Sequence, residues 1–281
     1  MRWPHYEHII FDCDSTLTAV EGIDILADTA EKKREVEALT QAAMDGEMDL
    51  EDIYARRLQT INPTREQIRQ IRRVYKRNIV EDAAAVITAL QEQGHKIYII
   101  SGGLAEPVEE FGIYLGVPRQ HIRAVNLHYN HLSGAWWQPN NGTEQILTYQ
   151  KGALTVSDGK AQIVRELLGN QYGRSANGRS LLIGDGSSDL LAGTAVDLFI
   201  GYGGVITRQR VLDEAPVFIH SRSLAPLLAL AIGPAGLKRL KNLDLALKAV
   251  QIIQNGGITF QNERLNQKFR RACQAVYSRS N

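Results

Sequence analysis

The sequence has 281 residues, of which 44% are hydrophobic and 22% charged, and its formal net charge is +1 at pH 7. This balance supplies enough apolar surface for a folded core, and it excludes a disordered segment or a chain that is polycationic throughout. The charges are distributed unevenly along the chain. Residues 234–281 carry nine basic and two acidic side chains, so this segment is basic and the remainder is mildly acidic.

The cysteine count and the apolar runs bear on cellular location. Two cysteines, Cys13 and Cys273, exclude a disulfide scaffold and favour a reducing compartment. The first residues lack the apolar stretch of a secretory signal. The longest apolar run, 224–237, contains two prolines and is too short to span a bilayer. We therefore expect a cytoplasmic protein that makes no membrane contact.

Five short apolar runs stop abruptly at a polar residue or a glycine, as strands buried on both faces of a parallel sheet do. In chain order these runs are 8–11, 96–100, 181–183, 197–200 and 217–219. Amphipathic helices are predicted between them, and the clearest cover 82–93, 104–114 and 160–168. Strands that alternate with helices predict an α/β protein with an open, parallel, Rossmann-like sheet.

Three segments depart from this alternation. Residues 18–78 are predicted to form consecutive amphipathic helices, a small cap inserted after the first strand. Residues 126–150 contain adjacent tryptophans and a Pro-Asn-Asn-Gly turn, which predict a β-excursion. Helices near 238–250 and 261–278 would form a basic C-terminal extension. The predicted organisation is an α/β catalytic core over 1–17 and 79–233, a cap over 18–78, and an extension over 234–281.

Carboxylates follow the predicted strands at the edge where open α/β sheets bind ligands. Asp12 and Asp14 come directly after the first strand, and Asp185 follows a later one. Alternation along an extended chain points Asp12 and Asp14 toward the same side. Converging carboxylates favour a Mg²⁺ site. For any one of them, a solvated strand-end acid or a helix cap is the structural alternative.

The other strand ends supply groups suited to binding a phosphate. The Ser-Gly-Gly sequence at 101–103 lets backbone amides approach an oxyanion, and Lys160 begins a helix. The Gly-Asp-Gly-Ser-Ser-Asp sequence at 184–189 suits a tight loop in which one carboxylate orients another. Each has a structural alternative: a plain turn, a surface lysine, and a capped helix start in which Asp189 complements the dipole.

Together these motifs resemble the haloacid dehalogenase-like phosphohydrolases. The family's order is matched by Asp-x-Asp-Ser-Thr-Leu-Thr at 12–18, Ser-Gly-Gly at 101–103, Lys160 and Gly-Asp-Gly-x-x-Asp at 184–189. Within the superfamily the chain is similar to the phosphoserine phosphatase branch over about residues 7–230. That similarity rests on the helical insertion, where Glu21-Gly-Ile-Asp and the stretch 44–57 resemble the branch's substrate-contacting segments.

The resemblance implies a Mg²⁺-dependent phosphomonoester phosphatase that works through an aspartyl-phosphate. The implied reaction is hydrolysis of L-phosphoserine to L-serine and phosphate, a step of serine biosynthesis. Asp12 would be the nucleophile, and Asp14 would act as general acid and then general base. Mg²⁺ would be held by Asp12, the Asp14 carbonyl and Asp185, with Asp189 supporting the loop.

The same resemblance implies roles in substrate binding. The phosphoryl oxygens would be neutralised by Lys160, Ser101 and the Gly102 amide. Glu21 would face the substrate's ammonium, Arg57 would pair with its carboxylate, and Met44 would form an apolar wall. A solvated helix face for Arg57 and a core position for Met44 are the structural alternatives. Ser188 stands where the family usually has Asn, and this departure from the family pattern leaves the exact substrate open.

Three other functions stay open at this point. A phosphatase of the same superfamily for a sugar phosphate, phosphoglycerate or nucleotide would differ in the cap, since an amino-acid substrate needs both Glu21 and Arg57. A signalling receiver domain also phosphorylates a strand-end aspartate, but it predicts a much shorter chain and no helical insertion. A binding protein without catalysis conflicts with four complete motifs.

The expected ligand is a small phosphorylated metabolite. For the basic extension we expect helices that pack on the acidic body or at a subunit contact, with solvated lysines. Nucleic acid or an anionic membrane surface is the alternative partner. The sequence leaves the oligomeric state open, with a homodimer as one arrangement.

Overall fold

The computed structural model describes residues 3–44, 50–138, 142–169 and 178–277, without the side chains of 41–44, 50–51 and 275–277. The described residues contain nine strands: β1 (His8–Phe11), β2 (Lys96–Leu104), β3 (Ile122–Val125), β4 (Leu127–Asn130), β5 (Gln145–Tyr149), β6 (Ser180–Gly184), β7 (Leu198–Tyr202), β8 (Val217–Ile219) and β9 (Ile258–Phe260). Seven form one sheet in the order β3-β2-β1-β6-β7-β8-β9. All neighbours are parallel except β8 and β9.

Helices surround this sheet. The described residues contain thirteen α-helices: α1 (Gly22–Thr29), α2 (Lys33–Met44), α3 (Leu50–Ile61), α4 (Arg65–Arg77), α5 (Ala83–Glu92), α6 (Ala105–Tyr114), α7 (Lys160–Leu168), α8 (Ser187–Ala192), α9 (Gln209–Glu214), α10 (Pro226–Ile232), α11 (Pro234–Leu237), α12 (Leu243–Gln254) and α13 (Glu263–Tyr277). Strands joined through helices in a mostly parallel sheet confirm the predicted α/β, Rossmann-like fold.

The central strands are buried on both faces, which explains their uninterrupted apolar runs. In β1, Ile9 and Phe11 belong to one hydrophobic core and Ile10 belongs to the other, because successive side chains of a strand alternate between faces. The first core includes Val86 of α5, and the second includes Val164 of α7. Helices therefore cover both faces of the sheet.

Helices α1–α4 follow β1 as an insertion, and α4 is attached to the core helix α6. Thr64 caps α4 in a capping box with Gln67. The backbone amide of Gln67 donates to the Thr64 hydroxyl at 3.3 Å. Four basic side chains of α4 form ion pairs with two carboxylates of α6. Arg65 and Arg69 pair with Glu106. Arg72 and Lys76 pair with Glu110. These pairs make α4 the base of the cap.

The excursion over 126–150 contacts the cap. Strands β4 and β5 form an antiparallel hairpin, whose turn residues 139–141 lie outside the described ranges. The Arg65 amide donates to the Glu144 carbonyl at 2.8 Å, and the Glu66 amide to the Gly142 carbonyl at 2.8 Å. The hairpin thus holds the start of α4.

The extension packs on the core and adds a strand to the sheet that the apolar runs did not predict. Strand β9 pairs antiparallel with β8, so the sheet is mixed at this edge. Its three residues are too few for alternation to be visible in the sequence. Phe269 of α13 stacks edge-on against Trp3 at 4.9 Å between ring centroids, and Lys248 pairs with Glu81 and Asp82 at 2.6 Å each. No described helix has both the length and the apolar composition to cross a membrane.

Candidate active site

A cavity of about 630 Å³ opens between the carboxyl ends of the central strands and the cap. Ten of the predicted site residues line it: Asp12, Asp14, Glu21, Arg57, Ser101, Gly102, Lys160, Asp185, Ser188 and Asp189. The eleventh, Met44, ends α2, and its side chain lies outside the described part of the chain. The structure therefore brings together every predicted residue whose side chain it describes.

A tight turn after β1 presents the first two carboxylates. The Asp12 amide continues the strand ladder by donating to the Ile183 carbonyl at 3.0 Å. The Cys13 carbonyl then accepts the Leu17 amide at 2.8 Å, which folds the chain back. Ser15 has a φ of 54°, the left-handed conformation that such a reversal requires. The chain therefore leaves the strand here, and Asp12 and Asp14 line the cavity.

Lys160 links two of the carboxylates. It is 4% exposed, and its Nζ lies 2.9 Å from Asp12 Oδ1 and 2.6 Å from Asp189 Oδ1. Burial alone would lower the pKa of Lys160, but the two carboxylates more than offset it and hold that pKa above the usual range. Lys160 is therefore a charged group of the site, which excludes the surface-lysine interpretation.

Two glycines shape the chain where β6 ends: Gly184, the last residue of the strand, and Gly186 in the loop that follows. A Cβ at Gly184 would lie 2.3 Å from Asp189 Cγ, so only glycine fits there. The Gly186 amide donates to Asp189 Oδ2 at 3.1 Å, and the Thr16 hydroxyl donates to Asp185 Oδ1 at 3.1 Å. Both oxygens of Asp189 are thus held, one by Lys160 and one by the loop, and both aspartates line the cavity.

Three carboxylates converge closely enough to hold a cation. Asp12, Asp185 and Asp189 are buried, and each offers an oxygen within 4.8 Å of the others. Burial raises the pKa of Asp185 to about 6, with Asp12 raising it further and Arg208 opposing. Carboxylate oxygens gathered in this way are the ligands that Mg²⁺ prefers, so the donor set fits the predicted metal.

Asp14 has a separate environment. Its Oδ1 accepts a hydrogen bond from the Tyr75 hydroxyl of α4, and its Oδ2 lies 3.5 Å from the Gly22 amide. Burial raises the pKa of Asp14 to about 8, while the bond from Tyr75 acts in the opposite direction. A carboxyl that holds its proton near neutral pH suits a general acid.

The Ser-Gly-Gly segment lies within β2, which continues to Leu104 with an irregular register after Ile100. The Ser101 hydroxyl accepts from the Gly103 amide at 2.9 Å. A Cβ at Gly103 would lie 3.1 Å from Asp14 Oδ2, so glycine keeps this side of the cavity open. The predicted helix begins just after, at Ala105.

The cap contributes an acid and a base to the opposite wall. Glu21 precedes α1 and accepts from Ser15 Oγ at 3.4 Å. On α3, Arg57 Nη2 donates to Thr40 Oγ1 at 2.7 Å. Burial lowers the pKa of Arg57, and Glu21 and Asp24 oppose this shift. Arg57 is therefore part of the cavity wall and not a solvated helix face.

No sequence motif marks Arg208, which joins the core to the cap. Its Nε lies 2.9 Å from Asp185 Oδ2, and its Nη2 lies 2.9 Å from Glu21 Oε1. The residue follows β7 and the glycine pair 203–204, at the same sheet edge as the recognised motifs. Its position after a strand could have indicated a site residue, but a lone arginine in a loop matches no motif.

Known proteins resemble this chain in sequence and in fold. The family model of the haloacid dehalogenase-like hydrolases matches residues 9–193. The phosphoserine phosphatase of Mus musculus is 29% identical over 211 residues, covering 75% of this chain and 88% of that protein. The chloroplastic phosphoserine phosphatase of Arabidopsis thaliana is 30% identical over 217 residues, covering 76% and 68%. A solved phospho-aspartyl intermediate analogue of phosphoserine phosphatase has a TM-score of 0.63 and 23% identity over 80% of this chain and 98% of that one.

The fold, the strand-end acids and these similarities define a class of enzyme. The chain belongs to the haloacid dehalogenase-like hydrolases. The relatives that it resembles are phosphoserine phosphatases. The protein is a phosphoric monoester hydrolase.

Proposed function

We propose that this enzyme hydrolyses L-phosphoserine to L-serine and phosphate. The observation that carries the proposal is the pair of opposite charges on the cap wall, Glu21 and Arg57, which line the same cavity as Asp12. An amino-acid phosphate presents an ammonium and a carboxylate, and this wall offers one partner for each. The curated relatives named above support the assignment.

Asp12 is the nucleophile in this proposal. Its Oδ1 is held by Lys160, and we assign Oδ2 to the attack on phosphorus. The new Oδ2–P bond forms as the bond from phosphorus to the serine oxygen breaks, giving an aspartyl-phosphate and L-serine. Water then attacks that phosphorus, which releases phosphate and restores the carboxylate.

Asp14 moves the proton in both steps. Protonated Asp14 donates to the departing serine alkoxide, and the resulting carboxylate then accepts a proton from the attacking water. Tyr75 and the Gly22 amide hold one oxygen each, so the carboxyl group keeps one orientation through the cycle.

The remaining groups stabilise charge. Lys160, Ser101 and the Gly102 amide line the cavity beside Asp12 and would neutralise phosphoryl oxygens. Asp12, Asp185 and the Asp14 carbonyl would hold Mg²⁺, with Asp189 fixed by Lys160 as their support. When bound, the cation supplies additional positive charge next to the phosphoryl group.

The decisive experiment measures phosphate release from L-phosphoserine with Mg²⁺, beside sugar phosphates, phosphoglycerate and nucleotides. We expect preference for L-phosphoserine, with activity lost on addition of EDTA and in Asp12→Asn. Activity on another ester but not on L-phosphoserine would contradict the proposed substrate while leaving the catalytic mechanism intact. Ser188 would then be the first residue to examine, because it lines the cavity where the family usually has Asn.

A further inference from the structure

Thr40 of the cap helix α2 holds the guanidinium of Arg57, which belongs to the next cap helix, α3. Arg57 Nη2 donates a hydrogen bond to Thr40 Oγ1 at 2.7 Å, between residues that are 17 positions apart in the chain. The two helices pack against each other, and both side chains line the active-site cavity. The bond therefore joins two elements of the cap at the wall that is proposed to bind the substrate's carboxylate.

A second hydrogen bond fixes the direction of the Thr40 hydroxyl. Its proton is donated to the Val36 carbonyl at 2.9 Å, one turn earlier in α2. Val36 is 1% exposed and belongs to the hydrophobic core, so this carbonyl is on a well-packed turn of the helix. With the proton committed there, Oγ1 offers its lone pairs to Arg57, whose guanidinium can only donate. Thr40 is thus a directed acceptor.

Holding one terminal nitrogen constrains the whole guanidinium. The group is planar, so the bond to Thr40 restricts both its position and the plane in which it meets a carboxylate. The long arginine side chain then loses its rotamer freedom when the protein folds and not when substrate binds, which strengthens binding. Glu21 and Asp24 line the same cavity, and a free guanidinium could turn toward either of them instead of toward the substrate.

We propose that Thr40 is a positioning residue, which holds the Arg57 guanidinium in place to receive the carboxylate of the substrate. The inference rests on the proposed function, because it takes that carboxylate as the partner of Arg57. Since Thr40 acts through Arg57, its loss weakens the binding of phosphomonoesters that carry a carboxylate and leaves the chemistry at Asp12 unchanged. Esters without a carboxylate do not depend on Thr40.

The test compares two substrates that differ only in the carboxylate, L-phosphoserine and O-phosphoethanolamine. Thr40→Val keeps the shape of the side chain and removes the acceptor. We expect its KM for L-phosphoserine to rise about tenfold while kcat changes little, because a hydrogen bond that orients a charged group is lost. For O-phosphoethanolamine, kcat/KM should equal that of wild type. Thr40→Ser keeps the hydroxyl and should restore most of the binding.

Thr29→Val is the matched control. Thr29 is an exposed residue of the cap helix α1, and its hydroxyl donates to the Ile25 carbonyl at 2.7 Å, one turn earlier in the same way as Thr40. This variant loses the same bond within a helix but no bond from Arg57, so it should affect neither substrate. A KM for L-phosphoserine that rises as much in Thr29→Val as in Thr40→Val would overturn the inference.

A double-mutant cycle separates positioning from a structural role. In an Arg57→Ala background, Thr40→Val should lower kcat/KM for L-phosphoserine no further, because the group that Thr40 holds is already gone. An equal effect with and without Arg57, or equal losses on both substrates, would reject the inference. Thr40→Ala is the second variant if Thr40→Val does not fold. Without turnover, L-serine should raise the melting temperature of wild type more than that of the variant, whereas ethanolamine should raise both equally.

The failure of the proposed function would be seen separately. If wild type hydrolyses no L-phosphoserine, that function is wrong, and 3-phosphoglycerate and glycerol 3-phosphate become the pair that differs in a carboxylate. A Thr40→Val defect limited to 3-phosphoglycerate would still support the role of Thr40. Equal rates of wild type and variant on 3-phosphoglycerate, or hydrolysis of neither pair, would contradict it.

Discussion

The hydroxyl of Tyr75, on the cap helix α4, donates a hydrogen bond to Oδ1 of Asp14, on the core turn after β1. The two residues are 61 positions apart in the chain. Four ion pairs join α4 to α6, and Tyr75 itself is buried beside Asp14. The base of the cap is in this way part of the catalytic centre.

Removing this hydroxyl should impair proton transfer more than binding. In Tyr75→Phe we expect kcat/KM for L-phosphoserine to fall about tenfold, because the buried hydrogen bond that orients the Asp14 carboxyl group is lost. With p-nitrophenyl phosphate, whose leaving group departs without a proton, the loss should be smaller than about threefold. Steady-state kinetics on the two esters measures the difference. Equal losses on both would mean that Tyr75 acts only through packing.

Gly22→Ala should disturb the same contact from the other side. A Cβ at Gly22 would lie 2.6 Å from Tyr75 Oη, so the alanine displaces the hydroxyl. We expect a loss of activity similar to that of Tyr75→Phe, and little further loss when the two changes are combined. A double-mutant cycle on kcat/KM provides the measurement, and fully additive effects would contradict a shared mechanism.

Lys160 should be required for stability as well as for activity. Lys160→Met leaves Asp12 and Asp189 buried without their cation, which should lower the free energy of unfolding by about 3–5 kcal/mol and abolish hydrolysis. Urea denaturation measures the change. Lys241→Met is the matched control, because its pair with Glu92 is on the surface and should contribute less than about 1 kcal/mol. An unchanged unfolding curve for Lys160→Met would contradict the buried ion pairs.

The extension should stabilise the core without taking part in catalysis. Phe269→Ala removes a buried ring from its contact with Trp3, and the expected loss is about 3–5 kcal/mol of unfolding free energy. The value of kcat, measured well below the unfolding transition, should not change. Leu247→Ala, whose side chain is exposed on α12, should alter stability by less than about 0.5 kcal/mol. A fall in kcat for Phe269→Ala in the folded state would show that the extension reaches the active site.

What the sequence predicted correctly depended on local patterns. The strand at 8–11 is recognisable because burial on both faces makes it continuously apolar, and Asp12 and Asp14 follow from its end. The missed residues are those whose role depends on distant contacts. Tyr75 belongs to an amphipathic helix in which nothing marks it apart, and Arg208 belongs to a loop without a motif. Only folding brings these two beside Asp14 and Asp185.

The contact between Trp3 and Phe269 bears on when the core can finish folding during synthesis. The indole of Trp3 donates to the Leu230 carbonyl at 2.8 Å and packs on a ring of the last helix. Trp3 and Leu230 are 227 positions apart in the chain, so a ribosome synthesises Trp3 long before either of its partners. The first strand, β1, likewise waits for β6 on one side. Folding of this core therefore finishes only after the segments that carry β6, Leu230 and Phe269 have left the ribosome.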